Sequence, residues 1–355
     1  MLTLVPENSG AQKWEAAEKR KSRDFACPKD RKICSFARGN MRLIRRVTVK
    51  EIYVNLKRFD VPKQYGGICP KDDPVEWVRE TVDQTIALGL GKIDGVSVAY
   101  FLPEALLVPA YEALAKYTPE EIGKFQIGCE SVYREDVTPG KNFGAFTTNR
   151  PAAAMQALGC GWTLIGHSEE RKDKLSMLTA YDAEIAADAA AYQKAADAVD
   201  AMLKAEVQTA LGREMNVLFC IGETAEQKGS DDPAVYEPRV REVLRAQIVN
   251  GLKGVDAGER KIAIGYEPIW AIGPGKTPPN GDYVAFVSSY IKEVCKAELG
   301  CELSVVYGGG LKEENAAEMA AVETLDGGLV ALTKFTQPIA FDVNSLRNII
   351  GAYVK

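Results

Sequence analysis

Three polar side chains stand where proton chemistry can use them. Glu267 closes the apolar run Ala263–Tyr266. Apolar surroundings raise a carboxylate's pKa and suit it to act as a general base. His167 is the only histidine of the chain and follows the run Trp162–Gly166. Ser168, next to it, is a good helix N-cap type, and Glu169 and Glu170 suit a first helical turn. The positive end of a helix disfavours imidazolium. A neutral ring there can donate a hydrogen bond to a carbonyl oxygen; the plainer reading is a structural histidine satisfied by backbone groups. Asn55 and Lys57 close another apolar run two residues apart. Strand alternation would project both to one face. A lysine enclosed there costs desolvation unless an anion meets it.

The stretch from Pro268 to Pro278 has the make-up of a lid. Trp270 and Ile272 offer it an apolar underside, Gly273 and Gly275 free its backbone, and Lys276 follows. Such lids exclude water and complete a site on closing. Gly275-Lys276-Thr277 resembles the end of a phosphate-binding P-loop, but that motif needs glycine where Trp270 stands. Further on, Gly308, Gly309 and Gly310 lead into Leu311–Asn315. Successive glycines before a helix can expose N–H groups as an anion cradle, or make a plain tight turn.

Positioning these groups needs a rigid frame, and the apolar pattern supplies one. Strands are predicted at Ile52–Lys57, Gly95–Phe101, Phe125–Val132, Trp162–Ser168, Val217–Gly222, Lys261–Glu267, Leu303–Gly308 and Gly328–Leu332. Several are near-continuous apolar runs, as in strands buried on both faces of a parallel sheet. Helical patterns alternate with them, among them Pro74–Leu88, Pro103–Lys116, Glu237–Gly251, Asp282–Leu299 and Lys312–Ala321. Eight β–α pairs without a compositional break indicate a single α/β domain, a (β/α)8 barrel, over residues 49–355. Its active site would lie at the C-terminal ends of the strands. Ala-rich residues 180–211 read as one long outer helix or two, with Ile185, Ala189, Tyr192 and Ala196 on its apolar face.

The chain has 355 residues and a net charge of −5, unevenly spread. Residues 1–50 carry 13 Lys+Arg against 5 Asp+Glu, so residues 1–48 read as a basic, poorly ordered extension. Met41 could serve as an internal start. The acidic remainder makes a poor nucleic-acid binder. No apolar run is long enough for a membrane span. Eight cysteines form no CxxC pair, and Cys27 and Cys34 in the arm read as incidental. Reduced thiols in the cytoplasm are the default for such a chain.

Taken in order, NLK (55–57), GCGWTLIGHSEERK (159–172), VLFCIGET (217–224), YEPIWAIGPGKT (266–277), YGGG with LKEENAAEM (307–319) and LDGGLVAL (325–332) resemble the triosephosphate isomerase family over about residues 51–349. GAFT (144–147) resembles that family's interdigitating dimer loop. The family is a standard example of a glutamate base with a neutral histidine under a closing loop. The resemblance implies interconversion of glyceraldehyde 3-phosphate and dihydroxyacetone phosphate through an enediol(ate), a step of glycolysis and gluconeogenesis. It implies Glu267 as base, His167 as electrophile, and Lys57 stabilising the oxyanion with Asn55 beside it. Glu169 would stand behind Lys57, with Ser168 adjoining. Gly273, Gly309, Gly310, Ala331 and Leu332 would meet the phosphate, and Pro268, Trp270, Gly275 and Lys276 would form the lid. No metal or organic cofactor is implied, and the expected assembly is a cytoplasmic homodimer.

The departures fall mainly on the phosphate end. Gly310 replaces a serine, Ala331 and Leu332 replace two glycines, and Pro274 enters the lid. Thr333 or Lys334 could rebuild the grip. Asn149 replaces an acid of the dimer loop, and insertions follow the first strand (58–74) and the fourth. Two other functions stay open: a related isomerase of a four-carbon ketose phosphate, and a non-catalytic barrel used for binding or regulation.

Overall fold

The structure, a computed structural model, describes residues 49–273 and 275–354. The basic arm, with Met41, Cys27 and Cys34, and the lid residue Pro274 lie outside the described residues. Eight parallel strands close into a barrel in sequence order. They are β1 (Lys50–Asn55), β2 (Val96–Leu102), β3 (Phe125–Glu130), β4 (Trp162–Ile165), β5 (Asn216–Ile221), β6 (Ile262–Tyr266), β7 (Ser304–Tyr307) and β8 (Gly327–Val330). The barrel closes where β1 pairs with β8, Glu51 opposite Gly327. A Cβ at Gly327 would come within 1.9 Å of the Glu51 carbonyl oxygen, so only glycine permits that approach.

The outer layer holds α1 (Pro74–Ala87), α2 (Glu104–Leu114), α3 (Pro119–Ile122), α4 (Ala152–Ala157), α5 (Ser168–Tyr181), α6 (Glu184–Ala187), α7 (Ala189–Gly212), α8 (Ala225–Lys228), α9 (Pro233–Leu252), α10 (Gly281–Val294), α11 (Glu313–Ala321) and α12 (Val343–Tyr353). Caps start many of them: the Asp73, Asp188, Asp232, Asn280 and Asp342 side chains each accept a first-turn N–H. Each such cap is worth about 1 kcal/mol.

Strand alternation builds two apolar layers. Tyr53, Phe101, Trp162, Leu164, Leu218 and Leu329 fill the barrel interior. Tyr53 touches Trp162 with ring centroids 5.1 Å apart. Outward residues such as Val217, Phe219, Ile264 and Tyr266 pack under the helices. The six described cysteines are free, and all but Cys301 are buried. Among the described residues, no helix is long and apolar enough to cross a membrane.

Two sequence expectations shift. The Ala-rich stretch forms α6 and α7, but the buried face of α7 is Ala195, Val199, Leu203, Val207 and Ala210. Ala189 is exposed and Ile185, Tyr192 and Ala196 are half-buried. Alanine periodicity marks a helix, but the branched residues choose its buried side. All strands but β2 also stop short of their predicted ends. β1 ends at Asn55, and Lys57 takes a left-handed conformation with φ 47°. A turn therefore sets the direction of Lys57, rather than strand alternation.

Candidate active site

A cavity of about 570 Å³ opens at the C-terminal ends of the strands. Asn55, Lys57, His167, Glu169 and Glu267 line it. Alternation explains Glu267 directly. Ala263 faces the barrel interior, so Glu267 four residues on faces the same way at the mouth. His167 needs a turn. Trp162 and Leu164 point inward and Ile165 outward. Gly166, at φ 79°, then turns the chain and brings His167 to the mouth. At Lys57, the Asn55 Oδ1 accepts the Lys57 N–H at 3.1 Å and fixes the corresponding turn.

The contacts couple these groups. His167 Nε2 lies 3.0 Å from Glu267 Oε1. The Ser168 N–H donates to Glu267 Oε2 at 3.0 Å, and the Ser168 hydroxyl lies 3.4 Å from Oε1. Lys57 Nζ pairs with Glu169 Oε1 at 2.7 Å. The N-cap of α5 is His167 rather than the predicted Ser168: its Nδ1 accepts the Glu169 N–H at 3.2 Å. That contact leaves the proton of a neutral ring on Nε2, facing the cavity and Glu267.

Both groups are buried, with Glu267 3% and His167 7% exposed. Burial pushes the Glu267 carboxyl up, but the His167 ring, the Ser168 N–H and Lys57 outweigh it and hold it below the ordinary carboxylate value. The expectation of a raised pKa is thus corrected, because a polar contact set faces this carboxylate. For His167, burial lowers the pKa, and the charge and hydrogen bond of Glu267 raise it above its ordinary value. The Glu169 N–H on Nδ1 opposes a second proton, so the upward pull lasts only while Glu267 stays in contact.

The lid is anchored at its first turn. Trp270 Nε1 donates to Glu223 Oε1 at 2.7 Å, where the hydroxyls of Tyr266 (2.9 Å) and Tyr283 (2.8 Å) also donate. The Lys228 ammonium lies 4.2 Å from the Trp270 ring centre. Trp270 therefore anchors the first turn of this loop, and Ala271, Ile272, Gly273, Gly275 and Lys276 line the cavity. Sequence reasoning gave Glu223 and Lys228 no role. A signal existed: Glu223 follows β5 much as Glu267 follows β6, but with the outward parity of Phe219 and Ile221.

The anion end differs most from expectation. Gly308, Gly310, Ala331 and Leu332 line the cavity, Gly310 at φ 86°. Gly309 is not among the lining residues. A Cβ there would come within 2.5 Å of Pro268 Cγ and of the Tyr307 hydroxyl, so its glycine serves packing under the lid. Thr333 is buried and bonded to Asp342, and Lys334 pairs with Asp342 at 3.1 Å. Neither lines the cavity, so neither rebuilds the grip. After β8 the chain folds into a hairpin whose Phe335 and Ile339 line the cavity. This hairpin was not expected from the sequence.

Fold and site together define a (β/α)8 barrel with a carboxylate–imidazole pair at its mouth, in a cavity also lined by the loop after β6. Residues 104–337 match the triosephosphate isomerase family. The chain is 30% identical over 280 residues to the triosephosphate isomerase of Carboxydothermus hydrogenoformans, covering 78% of this chain and 90% of that protein. To the triosephosphate isomerase of Chloroherpeton thalassium it is 34% identical over 191 residues, 53% of this chain and 64% of that protein. The triosephosphate isomerase structure from Bartonella henselae shares the fold, with a TM-score of 0.59, 22% identity and coverage of 86% of this chain and all of that one. The chain belongs to the triosephosphate isomerase family. Asn55 and Lys57 lie before the stretch matched to the family, and His167, Glu267 and the lid lie within it.

Proposed function

We propose that this chain interconverts glyceraldehyde 3-phosphate and dihydroxyacetone phosphate. The observation that carries the reading is the contact between the buried Glu267 carboxylate and Nε2 of the chain's only histidine, at the mouth of the barrel. Substrate entering between them would free the carboxylate. Glu267 then takes the proton from the carbon next to the carbonyl. The C–H electron pair forms the C=C bond of the enediolate, and the carbonyl electrons move to oxygen. The Nε2–H of His167 donates to that oxygen, and Lys57 opposes its charge. His167 gives its Nε2 proton to that oxygen and takes the hydroxyl proton from the neighbouring oxygen. Return of the carbon proton from Glu267 to the neighbouring carbon yields the isomer, with no net gain or loss of atoms. Once Glu267 turns to the substrate, burial keeps the ring neutral.

The lid would close over the intermediate, pivoting near Trp270, and exclude water. A homodimer through the GAFT loop (144–147) would accord with the adjoining Phe143, which is 83% exposed. The test is a coupled assay on glyceraldehyde 3-phosphate with Glu267→Gln and Glu267→Asp. Turnover should vanish in the first. It should fall by orders of magnitude in the second, which withdraws the base by about 1 Å. Unchanged turnover in either would refute the base assignment. The hairpin after β8 favours a second reading, a four-carbon ketose phosphate. Slow triose turnover with fast tetrulose turnover would establish it.

A further inference from the structure

The cavity's far end is built unlike its catalytic end. After β8 no helix begins until α12 at Val343. The chain instead doubles back through an antiparallel bridge between Lys334 and Ala340. The N–H of Lys334 donates to the Ala340 carbonyl at 3.0 Å, and the Ala340 N–H donates back at 3.2 Å. The base is braced, because the Asp342 N–H donates to Thr333 Oγ1 at 2.7 Å while Asp342 also caps α12. The fixed hairpin brings Phe335, 43% exposed, and Ile339 to the wall of the cavity that holds Glu267.

Lys312 lines the same cavity, half-buried at the N-cap of α11. Its ammonium lies 5.8 Å from the Phe335 ring centre, within cation–π range. Its backbone is held: the Lys312 N–H donates to Asn315 Oδ1 at 2.8 Å, and Asn315 Nδ2 donates to the Gly310 carbonyl at 3.2 Å. Among the described residues, no carboxylate lies within ion-pair distance of Lys312. Lys57, by contrast, is already engaged by Glu169. Lys276 also lacks such a partner, but it is exposed on the lid.

Barrels of this class often bind phosphate through the loops after strands 7 and 8 and the N-terminus of a short extra helix. Here the loop after β8 supplies no such helix, and Leu332, Phe335 and Ile339 make that end apolar. An anion there, less well solvated than in open water, interacts more strongly with the Lys312 ammonium beside Phe335. Resting on the isomerase reading, we propose that Lys312 holds the anionic group of the substrate. Phe335 and Ile339 form the apolar shelf for the adjoining carbons, and the three residues decide which phosphorylated sugar is accepted. A lysine acts as a point charge without bidentate geometry. Such a grip tolerates some variation in where the phosphate sits, at the cost of salt sensitivity.

The test separates this grip from turnover. Inorganic phosphate is titrated calorimetrically into the full chain, its Lys312→Met, Lys312→Arg and Phe335→Ala variants, and Glu267→Gln. Lys312→Met should weaken phosphate binding by about tenfold or more and flatten its salt dependence, with an unchanged unfolding midpoint. Lys312→Arg should restore most of the loss, and Glu267→Gln should bind phosphate as the parent does. Phe335→Ala should change the ratio of kcat/KM between three- and four-carbon sugar phosphates. Equal phosphate binding by Lys312→Met, or no binding by the parent at millimolar phosphate, overturns the grip. An unchanged substrate ratio in Phe335→Ala overturns the shelf. Phosphate binding lost in Lys312→Met from a chain that turns over no sugar phosphate would sink the isomerase reading alone.

Discussion

Removing the charge of Glu267 should move His167 across its ordinary pKa. The ring is 7% exposed, and burial alone lowers its affinity for a second proton. What raises it is a carboxylate 3.0 Å from Nε2. Two unit charges at that distance interact by about 5 kcal/mol at an effective dielectric constant of 20. Glu267→Gln keeps the shape and a hydrogen-bonding group but deletes that attraction. Burial then prevails, and the pKa passes from above the ordinary value to below it. The measurement is clean because the chain has one histidine. A two-dimensional imidazole NMR titration follows a single ring, and its nitrogen shifts report the tautomer. In the variant the neutral ring should carry its proton on Nε2, since Nδ1 accepts the Glu169 N–H. Stability should follow the same contact. The raised His167 pKa stabilises the fold fully below its unfolded value near 6.5, and that share fades as pH rises through the folded value. The lowered Glu267 pKa stabilises above its unfolded value near 4.5, and that share is lost as pH falls through the folded value. The variant should therefore lose most stability between those two values. A ring that titrates alike in both proteins would refute the coupling and the role assigned to Glu267.

Three further outcomes are expected. Trp270→Phe removes one of three donors from the buried Glu223 oxygen and should cost about 1.5–3 kcal/mol of unfolding free energy in a urea titration; a loss below about 0.5 kcal/mol would show that the hinge bond is not held in solution. Burial and the neighbouring Glu170 push the Glu206 carboxyl up to about 8, despite Lys174 at 3.0 Å. Between an unfolded value near 4.5 and about 8 this group binds its proton more tightly folded, so it lowers stability as pH rises, by up to about 1.4 kcal/mol per pH unit; Glu206→Gln should flatten that slope in a series of melting curves, and an unaltered slope would count against it. If the chain dimerises through the loop beside Phe143, Phe143→Glu should shift the sedimentation mass from dimer to monomer; a dimer that survives the change would move the interface elsewhere.

How far the sequence carried the argument depends on the range of the forces at each residue. Glu267 was legible because alternation from Ala263 fixes its side within one strand. His167 was legible by its uniqueness and the helix-start pattern after it, yet Gly166 does the turning and His167 itself is the cap. Lys57 does reach the cavity wall, but its direction comes from a left-handed turn rather than from strand alternation. The hinge was misread because a tryptophan between prolines looks like an apolar underside, while its Nε1 partner lies 47 positions earlier at Glu223. The pKa direction of Glu267 failed for the same cause. An apolar strand predicts desolvation, but Ser168 and His167 arrive from another strand end 99 and 100 positions away.

The same distinction explains why the two ends of the cavity diverge. The Glu267–His167 end is set by short devices: strand parity at Glu267, a glycine turn at Gly166 and an asparagine side-chain turn at Asn55. Each ties a reactive side chain to the barrel within a few residues, and the barrel is the best-buried part of the molecule. The anion end rests on loops after β7 and β8, whose shape comes from contacts such as Thr333 with Asp342 and Lys312 with Asn315. Those contacts can be exchanged without disturbing a strand. The loops after β7 and β8 can therefore be rebuilt, as with the braced hairpin beside Lys312, while Glu267 and His167 stay 3.0 Å apart. Under the proposed function, the chemistry would be fixed by the frame and substrate choice left to the rim.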